Sequence, residues 1–262
     1  MGEEMGRYEG RTWHDRFLPR LTTEEIGKLD KERSLLVLPI ASVEQHGCHL
    51  PVFTDSLLCE SLVEGAIAKL PPDAEVWVLP PLYYGKSTEH SGFSGTLSLS
   101  TGTLLRLLGD LFAGLHGDGW RRLLIVNSHG GNPEILTLAA RDARSEYGLR
   151  VYVINTGDLY AHEAFPEREL KYGIHGGALE TSIMLALKPE WVRTEAYRAE
   201  YPVQVEHSHF KLGGAATFGW LTGDFSESGV IGDPTLSTAE LGREIYERVC
   251  VRMAEMMLEL LA

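Results

Sequence analysis

A segment of thirteen residues in the first quarter of the chain concentrates side chains that bind metals. Residues 43–55, VEQHGCHLPVFTD, contain five of them: Glu44, His46, Cys48, His49 and Asp55. Imidazole, thiolate and carboxylate groups are the ligands that zinc and related divalent cations take in proteins. The segment therefore indicates a metal site, and the alternative is a polar loop without a chemical role.

Two later segments add three candidates of the same types. His129 lies in VNSHGGN (126–132), and His175 and Glu180 lie in HGGALETS (175–182). His129 has a structural alternative, a turn before a helix, because two glycines follow it. Glu180 has one as well, since it could merely cap a helix. Imidazole titrates near neutral pH, so His175 suits proton transfer.

Apolar runs of strand length alternate with segments of helical periodicity along the chain. We predict strands over 34–40, 75–80, 122–127 and 149–154, and helices over 21–29, 55–70, 100–119, 132–148, 178–189 and 237–262. Thr22 or Thr23 should cap the first helix, and a capping box of Ser237 and Glu240 should start the last. The alternation predicts an α/β fold with a mainly parallel sheet and helices on both of its faces.

Three candidate ligands follow predicted strands directly. Glu44 and His46 come after strand 34–40, and His129 comes after strand 122–127. Ligands of open parallel sheets bind at the carboxyl ends of the strands. We therefore expect these three side chains at the same edge of the sheet, together with Asp55 and Glu180.

The composition disfavours several classes of partner. The 262 residues carry a net charge of −13 and contain no basic run, which argues against binding to a nucleic-acid backbone. The first residues, MGEEMGRYEGRTWHDRF, lack the apolar stretch of a signal peptide, and no apolar run reaches the ~20 residues that span a bilayer. Three cysteines without regular spacing make no disulfide framework. We expect a cytoplasmic protein that binds neither nucleic acid nor membrane.

Five motifs in series resemble the creatininase (creatinine amidohydrolase) family. They are EQHGCHLPVFTD, YYGKSTEHSGFSGTLSLS, VNSHGGN, HGGALETS and GVIGDP, and they span roughly residues 30–240 in a consistent order. The resemblance, which is to the VNGHGGN-type branch, implies a single three-layer α/β/α domain over residues 1–262. It also implies a homohexamer and two divalent metal ions per chain, zinc and/or manganese, with iron as a further option.

The resemblance assigns roles to the candidate ligands. Glu44 and His129 would bind one metal ion, His46 and Glu180 would bind the other, and Asp55 would bridge the two. Two cations that share a carboxylate lie ~3.5–4 Å apart, polarise a carbonyl group and lower the pKa of a bound water. These five residues form the predicted metal site.

A second group of residues should contact the substrate. His175 is the expected proton carrier, since the corresponding histidine of the family lies beside the substrate. Ser87, His90 and Tyr172 are the expected substrate-binding residues, and for His90 the alternative is to hold a loop together. The Gly-rich segment 213–232 should cover the site or contact another subunit.

These roles predict a metal-dependent hydrolase of C–N bonds other than peptide bonds, with a small cyclic amide, a formamide or a related carbonyl compound as substrate. Creatinine is disfavoured, because Gly131 stands where creatininase proper has a glutamate and its substrate-embracing tryptophans are absent. Members of the VNGHGGN-type branch act on formylated pyrimidine amides, on peptides of a redox-cofactor pathway or on a keto-inositol. The alternatives are a hydrolase or isomerase of a cyclic keto-sugar and a binding protein without activity.

Overall fold

Four parallel strands form one sheet at the centre of the protein. The computed structural model describes residues 10–160, 162–202, 212 and 215–262, with only the backbone of Arg11. The sheet has the order β2-β1-β3-β4, and its strands are β1 (Leu35–Ile40), β2 (Val76–Val78), β3 (Arg122–Asn127) and β4 (Arg150–Asn155). All four lie within the predicted ranges or one residue beyond them, which confirms the parallel sheet.

Eight helices accompany the sheet in the described part of the chain. They are α1 (Arg11–Asp15), α2 (Thr23–Gly27), α3 (Thr54–Ile67), α4 (Thr101–Gly117), α5 (Pro133–Tyr147), α6 (Glu167–Tyr172), α7 (Ala178–Leu187) and α8 (Ala239–Leu261). Six of them correspond to predicted helices. The other two, α1 and α6, have 5 and 6 residues, too few to show a helical period in the sequence.

The helix caps confirm one prediction and correct another. Thr22 caps α2 and forms a capping box with Glu25. The predicted box of Ser237 and Glu240 at α8 is wrong, because Thr238 is the cap and its hydroxyl accepts a hydrogen bond from the backbone of Leu241 at 3.1 Å. The hydroxyl of Ser237 instead donates to the carbonyl of Pro234 at 2.6 Å, so it ends the preceding turn.

Helices cover both faces of the sheet, so that the protein has three layers. Alternate side chains of a strand point to opposite faces. Leu35 and Val37 of β1 pack in one apolar cluster with residues of α3, α7 and α8. Leu36 and Leu38 pack in a second cluster with residues of α4 and α5. Every residue of β1 is buried, which explains why its sequence is a continuous apolar run instead of an alternating one.

The carboxyl ends of β1 and β3 lie side by side. Ile40 at the end of β1 is in register with Asn127 at the end of β3. The backbone of Ser128 donates to the carbonyl of Ile40 at 3.1 Å, which keeps the two chains together beyond the strands. The segments that carry the predicted ligands therefore leave the sheet from adjacent points. Among the described helices, none is long and apolar enough to cross a membrane.

Candidate metal centre

The five predicted metal ligands converge above this edge of the sheet. Glu44 and His46 lie on the loop after β1, Asp55 in the first turn of α3, His129 after β3, and Glu180 in the first turn of α7. The first four side chains are buried, and Glu180 is partly exposed. Two buried carboxylates with a third, partly buried one beside them are unfavourable unless cations or hydrogen-bond donors compensate them.

Asp55 lies between the two histidines. Its Oδ1 is 3.2 Å from Nε2 of His46, and its Oδ2 is 3.0 Å from Nδ1 of His129. The hydroxyl of Ser42 donates to Oδ2 at 2.8 Å and thereby fixes the carboxylate. One carboxylate that turns a different oxygen toward each histidine has the arrangement required of a bridging ligand.

Hydrogen bonds to backbone carbonyls determine which ring nitrogen of each histidine points toward the carboxylates. Nδ1 of His46 lies 3.1 Å from the carbonyl of Glu44, and Nε2 of His129 lies 2.8 Å from the carbonyl of Lys86. Because a carbonyl only accepts, these ring nitrogens carry hydrogen. The opposite nitrogens, Nε2 of His46 and Nδ1 of His129, face the carboxylates, as the metal-binding nitrogens of histidines do.

Two atoms of the centre that could bind a metal ion have no hydrogen-bond partner. Oε2 of Glu44 and Nε2 of His46 are both buried and unsatisfied in the structure. Oε2 of Glu44 lies 3.0 Å from Nδ1 of His129, without the angle of a hydrogen bond. Buried polar atoms nearly always have a partner, and divalent cations would supply one for each of these atoms. The residues present therefore fit a metal centre.

The ionisation of the centre supports the same interpretation. Burial favours the neutral form of His46, but the carboxylates of Asp55 and Glu180 outweigh it and raise its pKa to about 10. Burial also disfavours the charged form of His129. The carboxylates of Glu44 and Asp55 outweigh this effect and raise the pKa of His129 well above its usual range. Protons on the two imidazoles thus neutralise buried carboxylates, and bound metal ions would replace those protons.

Glu180 completes the half of the centre around His46. Its Oε2 lies 4.0 Å from Nε2 of His46 and accepts a hydrogen bond from the backbone of Gly176 at 2.6 Å. Burial raises the pKa of Glu180 to about 7. Single donor atoms of His46, Asp55 and Glu180 all lie within 4.8 Å of one another, a spacing that one cation could span.

His175 lies against the centre and lines a cleft beside it. Its Nε2 donates to the carbonyl of Gln45 at 2.6 Å, and its Nδ1 lies 3.6 Å from Oε1 of Glu44. The ring contacts those of His46 and His90, with centroid distances of 4.2 and 4.0 Å and planes tilted by 40° and 35°. Burial and the neighbouring positive charge of His46 lower the pKa of His175 well below the usual value, so the ring is neutral near pH 7.

The GVIGDP motif and a buried carboxylate hold His175 in place. The backbone of His175 pairs with Ile231 through hydrogen bonds of 3.0 and 2.8 Å. Oε1 of the buried Glu169 accepts from the backbone of Ala178 at 2.6 Å, and Oε2 accepts from that of Asp233 at 2.9 Å. Glu169 thereby joins α6, the start of α7 and the GVIGDP segment. Glu169 was not predicted from the sequence, because nothing in its local sequence shows these distant contacts.

Gln45 is a second supporting residue that was not predicted from the sequence. Its Oε1 accepts from the backbone of Gly47 at 2.8 Å, and its Nε2 donates to the carbonyl of Gly229 at 2.9 Å, which fixes the orientation of the amide. The same Nε2 lies 2.9 Å from Nδ1 of His90. Nδ1 of His90 is therefore an acceptor, and its Nε2 carries the hydrogen that faces Oε1 of Glu44 at 3.2 Å.

The three predicted substrate-binding residues occupy different positions. His90 lies in the cleft, against Glu44. Ser87 is fully buried, and its hydroxyl lies 3.2 Å from Nε2 of His129, on the far side of that ring from the metal-binding nitrogen. Tyr172 lies in α6, where its hydroxyl accepts from Lys171 at 2.7 Å. Substrate contacts by all three residues stay predictions.

Two other members of the first segment face away from the centre. Cys48 is exposed. Nε2 of His49 lies 3.0 Å from the hydroxyl of Thr181, and burial together with the charge of His46 lowers the pKa of His49 to about 4. The structure gives neither residue a place among the metal-competent groups of the described chain.

Gly131 has no room for a side chain. A Cβ at this position would overlap the carbonyl of Lys86 and the carboxylate of Glu89, and it would lie 2.5 Å from Nε2 of His129. A glutamate, which the sequence resemblance places at this position in creatininase proper, would require the backbone of Lys86 to move. Glu180 is the carboxylate that lies closest to His46 after Asp55.

Two clefts meet at the metal centre. One, of about 650 Å³, is lined by ligands of the centre, by His90 and His175, and by Leu212 and residues 217–220. The other, of about 600 Å³, extends over the ends of β3 and β4 to α6 and α7. Both are lined by His129, Gly130, Ile174 and Glu180. Residues 217–220 of segment 213–232 thus line the cleft, which is one of the two places expected for that segment, and a contact with another subunit stays a prediction.

Comparison with known proteins agrees with this geometry. The profile of the creatininase family, described as creatinine amidohydrolase, matches residues 19–257. A mycofactocin precursor peptide peptidase from Mycobacterium tuberculosis is 37% identical over 232 residues, which cover 83% of this chain and 83% of that protein. A creatinine amidohydrolase from Pseudomonas putida is 35% identical over 175 residues, which cover 60% of this chain and 66% of that protein.

Solved structures share the fold. Two creatininase structures, one described as a Zn–Zn type and one as Mn, each superpose with a TM-score of 0.73 at 26% identity. Each alignment covers 93% of this chain and 97% of the other. The buried clusters of histidine, glutamate and aspartate in the present structure are consistent with a binuclear site of that kind. The chain belongs to the creatininase family of metal-dependent hydrolases.

Proposed function

We propose that this protein is a peptidase that hydrolyses an amide bond of a peptide at the paired-metal centre formed by Glu44, His46, Asp55, His129 and Glu180. The proposal departs from the non-peptide specificity expected from the sequence. It is supported by the relatives named as peptide peptidases, which match a larger share of this chain than the creatinine amidohydrolase does.

The observation that carries the proposal is the pair of clefts that meet at the centre. Each has the volume of a small-molecule site, about 650 and 600 Å³. Ile174, which is 43% exposed, lines both of them. A compact cyclic amide needs only one such cleft. A peptide that crosses the centre would place the residues before its scissile bond in one cleft and those after it in the other.

The residues of the centre suit amide hydrolysis. When bound, two zinc or manganese ions would supply a polarised carbonyl group and a water of lowered pKa. Glu44 and His129 would hold one ion, His46 and Glu180 the other, and Asp55 both. The buried rings of His46, His175 and His90 lie in mutual contact beside the centre.

His175 provides the proton transfer. Its Nε2 is engaged by the carbonyl of Gln45, so that Nδ1 is the nitrogen with a free lone pair. The low pKa keeps this ring neutral near pH 7, and it can accept the proton released from the attacking water. The same nitrogen can then donate the proton to the nitrogen of the leaving amine. Asp55 and Glu44, whose pKa values are lowered against the effect of burial, stay ionised.

Isotope labelling tests the proposal. The zinc- or manganese-loaded enzyme is incubated in ¹⁸O-water with a library of peptides, and in parallel with creatinine, a formylated pyrimidine amide and a keto-inositol. We expect pairs of peptide products in which the new carboxyl group carries one ¹⁸O. Hydrolysis of a small amide while the peptides stay intact would contradict peptidase activity. Conversion of the keto-inositol without incorporation of ¹⁸O would instead show an isomerase.

A small cyclic amide or formamide is the second candidate substrate. The similarity to the creatinine amidohydrolase favours it, and the same metal centre would hydrolyse it. We also propose a homohexamer on the basis of the sequence resemblance, and light scattering of the purified protein measures its mass in solution.

A further inference from the structure

Five arginines surround a cavity at the edge of the sheet opposite to the metal centre. The cavity has a volume of about 480 Å³, and its lining includes Arg33, Arg121, Arg122, Arg144 and Arg150. Arg122 and Arg150 are the first residues of β3 and β4 and are adjacent in register. Because β3 has six residues, and a strand rises ~3.3 Å per residue, the cavity lies on the order of 20 Å from the metal centre.

The described contacts of these guanidinium groups are to neutral backbone. Arg121 donates to the carbonyls of His116 and Trp120, Arg122 to that of Leu260, and Arg144 to that of Gly148. Within the described ranges, no ion pair joins any of the five to a carboxylate, although Glu32 also lines the cavity. Nε of Arg122 is buried and has no hydrogen-bond partner.

Such a cluster is unusual in this chain. The protein has a net charge of −13, with 37 acidic against 24 basic residues, yet five of its positive charges line one cavity and pair with none of the carboxylates that the structure describes. Like charges held together repel one another and destabilise the fold, and a bound anion would offset that cost. Guanidinium groups bind phosphate, sulfate and carboxylate oxygens with two parallel hydrogen bonds, so this chemistry selects oxyanions.

We propose that this cavity binds a small multivalent oxyanion, such as a phosphate or sulfate ester. Its volume lies within the range of small-molecule sites. The half-buried Arg121 and Arg122 form its inner wall, and the exposed Arg33, Arg144 and Arg150 form its rim. The backbone bonds of Arg121 and Arg122 hold their guanidinium groups in place before a ligand arrives.

Calorimetric titration of the metal-loaded, full-length protein tests this site. The probes are sulfate, a bare dianion, and glucose 6-phosphate, a phosphate ester, at a constant ionic strength of about 0.15 M. We expect one binding event per chain with a Kd below about 1 mM for at least one probe. The double variant Arg33→Gln/Arg150→Gln, which changes only exposed rim residues, should weaken binding by about tenfold or more.

The matched control removes two charges elsewhere. Arg243→Gln/Arg252→Gln changes two exposed arginines of α8 and should leave the Kd unchanged. Equal weakening in both double variants, or no saturation by about 10 mM of either probe, would overturn the proposal. Loss of binding in Asp55→Ala would place the anion at the metal centre and would also overturn it. Binding of hexaglutamate without either small anion would show an acidic protein surface as the ligand instead.

Discussion

Oδ2 of Asp55 lies 3.0 Å from Nδ1 of His129, in the interior of the protein. The other oxygen of the same carboxylate faces His46 at 3.2 Å. Asp55 is thus placed to serve both halves of the centre. We expect Asp55→Ala to abolish activity and to reduce metal content more than the loss of Glu44 or His46, measured by elemental analysis of the purified variants.

His46→Ala is the comparison for that prediction. This histidine belongs to one half of the centre, so its loss should mainly remove one metal ion. If Asp55→Ala kept both metal ions while His46→Ala lost both, Asp55 would not be the bridging ligand.

A second experiment should distinguish the role of His175 from that of the metal ligands. If its Nδ1 serves proton transfer as proposed, His175→Ala should keep the bound metal and lower turnover by about 10²–10⁴-fold. His175→Asn should be nearly as slow, since an amide does not titrate near neutral pH. Rescue by Asn would show that the ring only positions its turn. A joint fall of metal content and activity would make His175 a ligand, which its proximity to Glu44 and His46 also allows.

His90 should tune the affinity for metal through Glu44. Its Nε2–H faces Oε1 of that carboxylate at 3.2 Å, and hydrogen-bond partners of metal ligands typically change affinity by about 10–100-fold. We expect His90→Ala to weaken metal binding by that factor in competition with a chelator. His90→Gln, whose amide can donate to Glu44, should restore part of it.

Thr222→Val is the control for His90. The hydroxyl of Thr222 lies 2.8 Å from Nδ1 of His90, but the amide of Gln45 also holds that nitrogen. The variant should therefore change metal affinity much less than His90→Ala. An equal loss in both variants would show a general disturbance of the loop and not an effect through Glu44.

Adjacent glycines provide a fourth test. A methyl group at Gly131 would overlap Lys86, Glu89 and His129, whereas one at Gly130 would meet no atom within 4 Å. Overpacking of this kind costs about 1–3 kcal/mol. We expect Gly131→Ala to displace His129 and lower metal affinity by about tenfold or more, and Gly130→Ala to bind metal normally, measured by the same competition assay. Comparable metal affinity in the two variants would contradict the tight packing around His129.

The sequence predicted the sheet and the convergence of the ligands because both depend on local patterns. The apolar runs of β1 and β3 are long enough to be recognised as buried strands. Glu44, His46 and His129 follow these strands directly. Parallel strands end at a common edge, so the position of these residues in the chain determined their place in space.

The supporting residues were not predictable in the same way. Gln45 donates a hydrogen bond to the carbonyl of Gly229, and Glu169 accepts one from the backbone of Asp233. Each role therefore depends on a contact between distant parts of the chain. The wrong capping box at α8 has a local cause. Serine and threonine are both good caps. The hydroxyl of Ser237 is engaged by the carbonyl of Pro234, so that Thr238 caps the helix instead. Membership of the VNGHGGN-type branch, which rests on motif similarity, stays a prediction.

The stoichiometry of bound metal tests the central claim most directly. The protein is reconstituted with zinc and with manganese, freed of excess metal by gel filtration, and analysed for metal and hydrolytic turnover together. The five converging ligands predict close to two divalent ions per chain, because one four-coordinate site with an open position needs only three protein ligands. They also predict that turnover requires the second ion. Less than one equivalent of metal per chain, or full turnover with a single ion, would contradict the paired-metal centre.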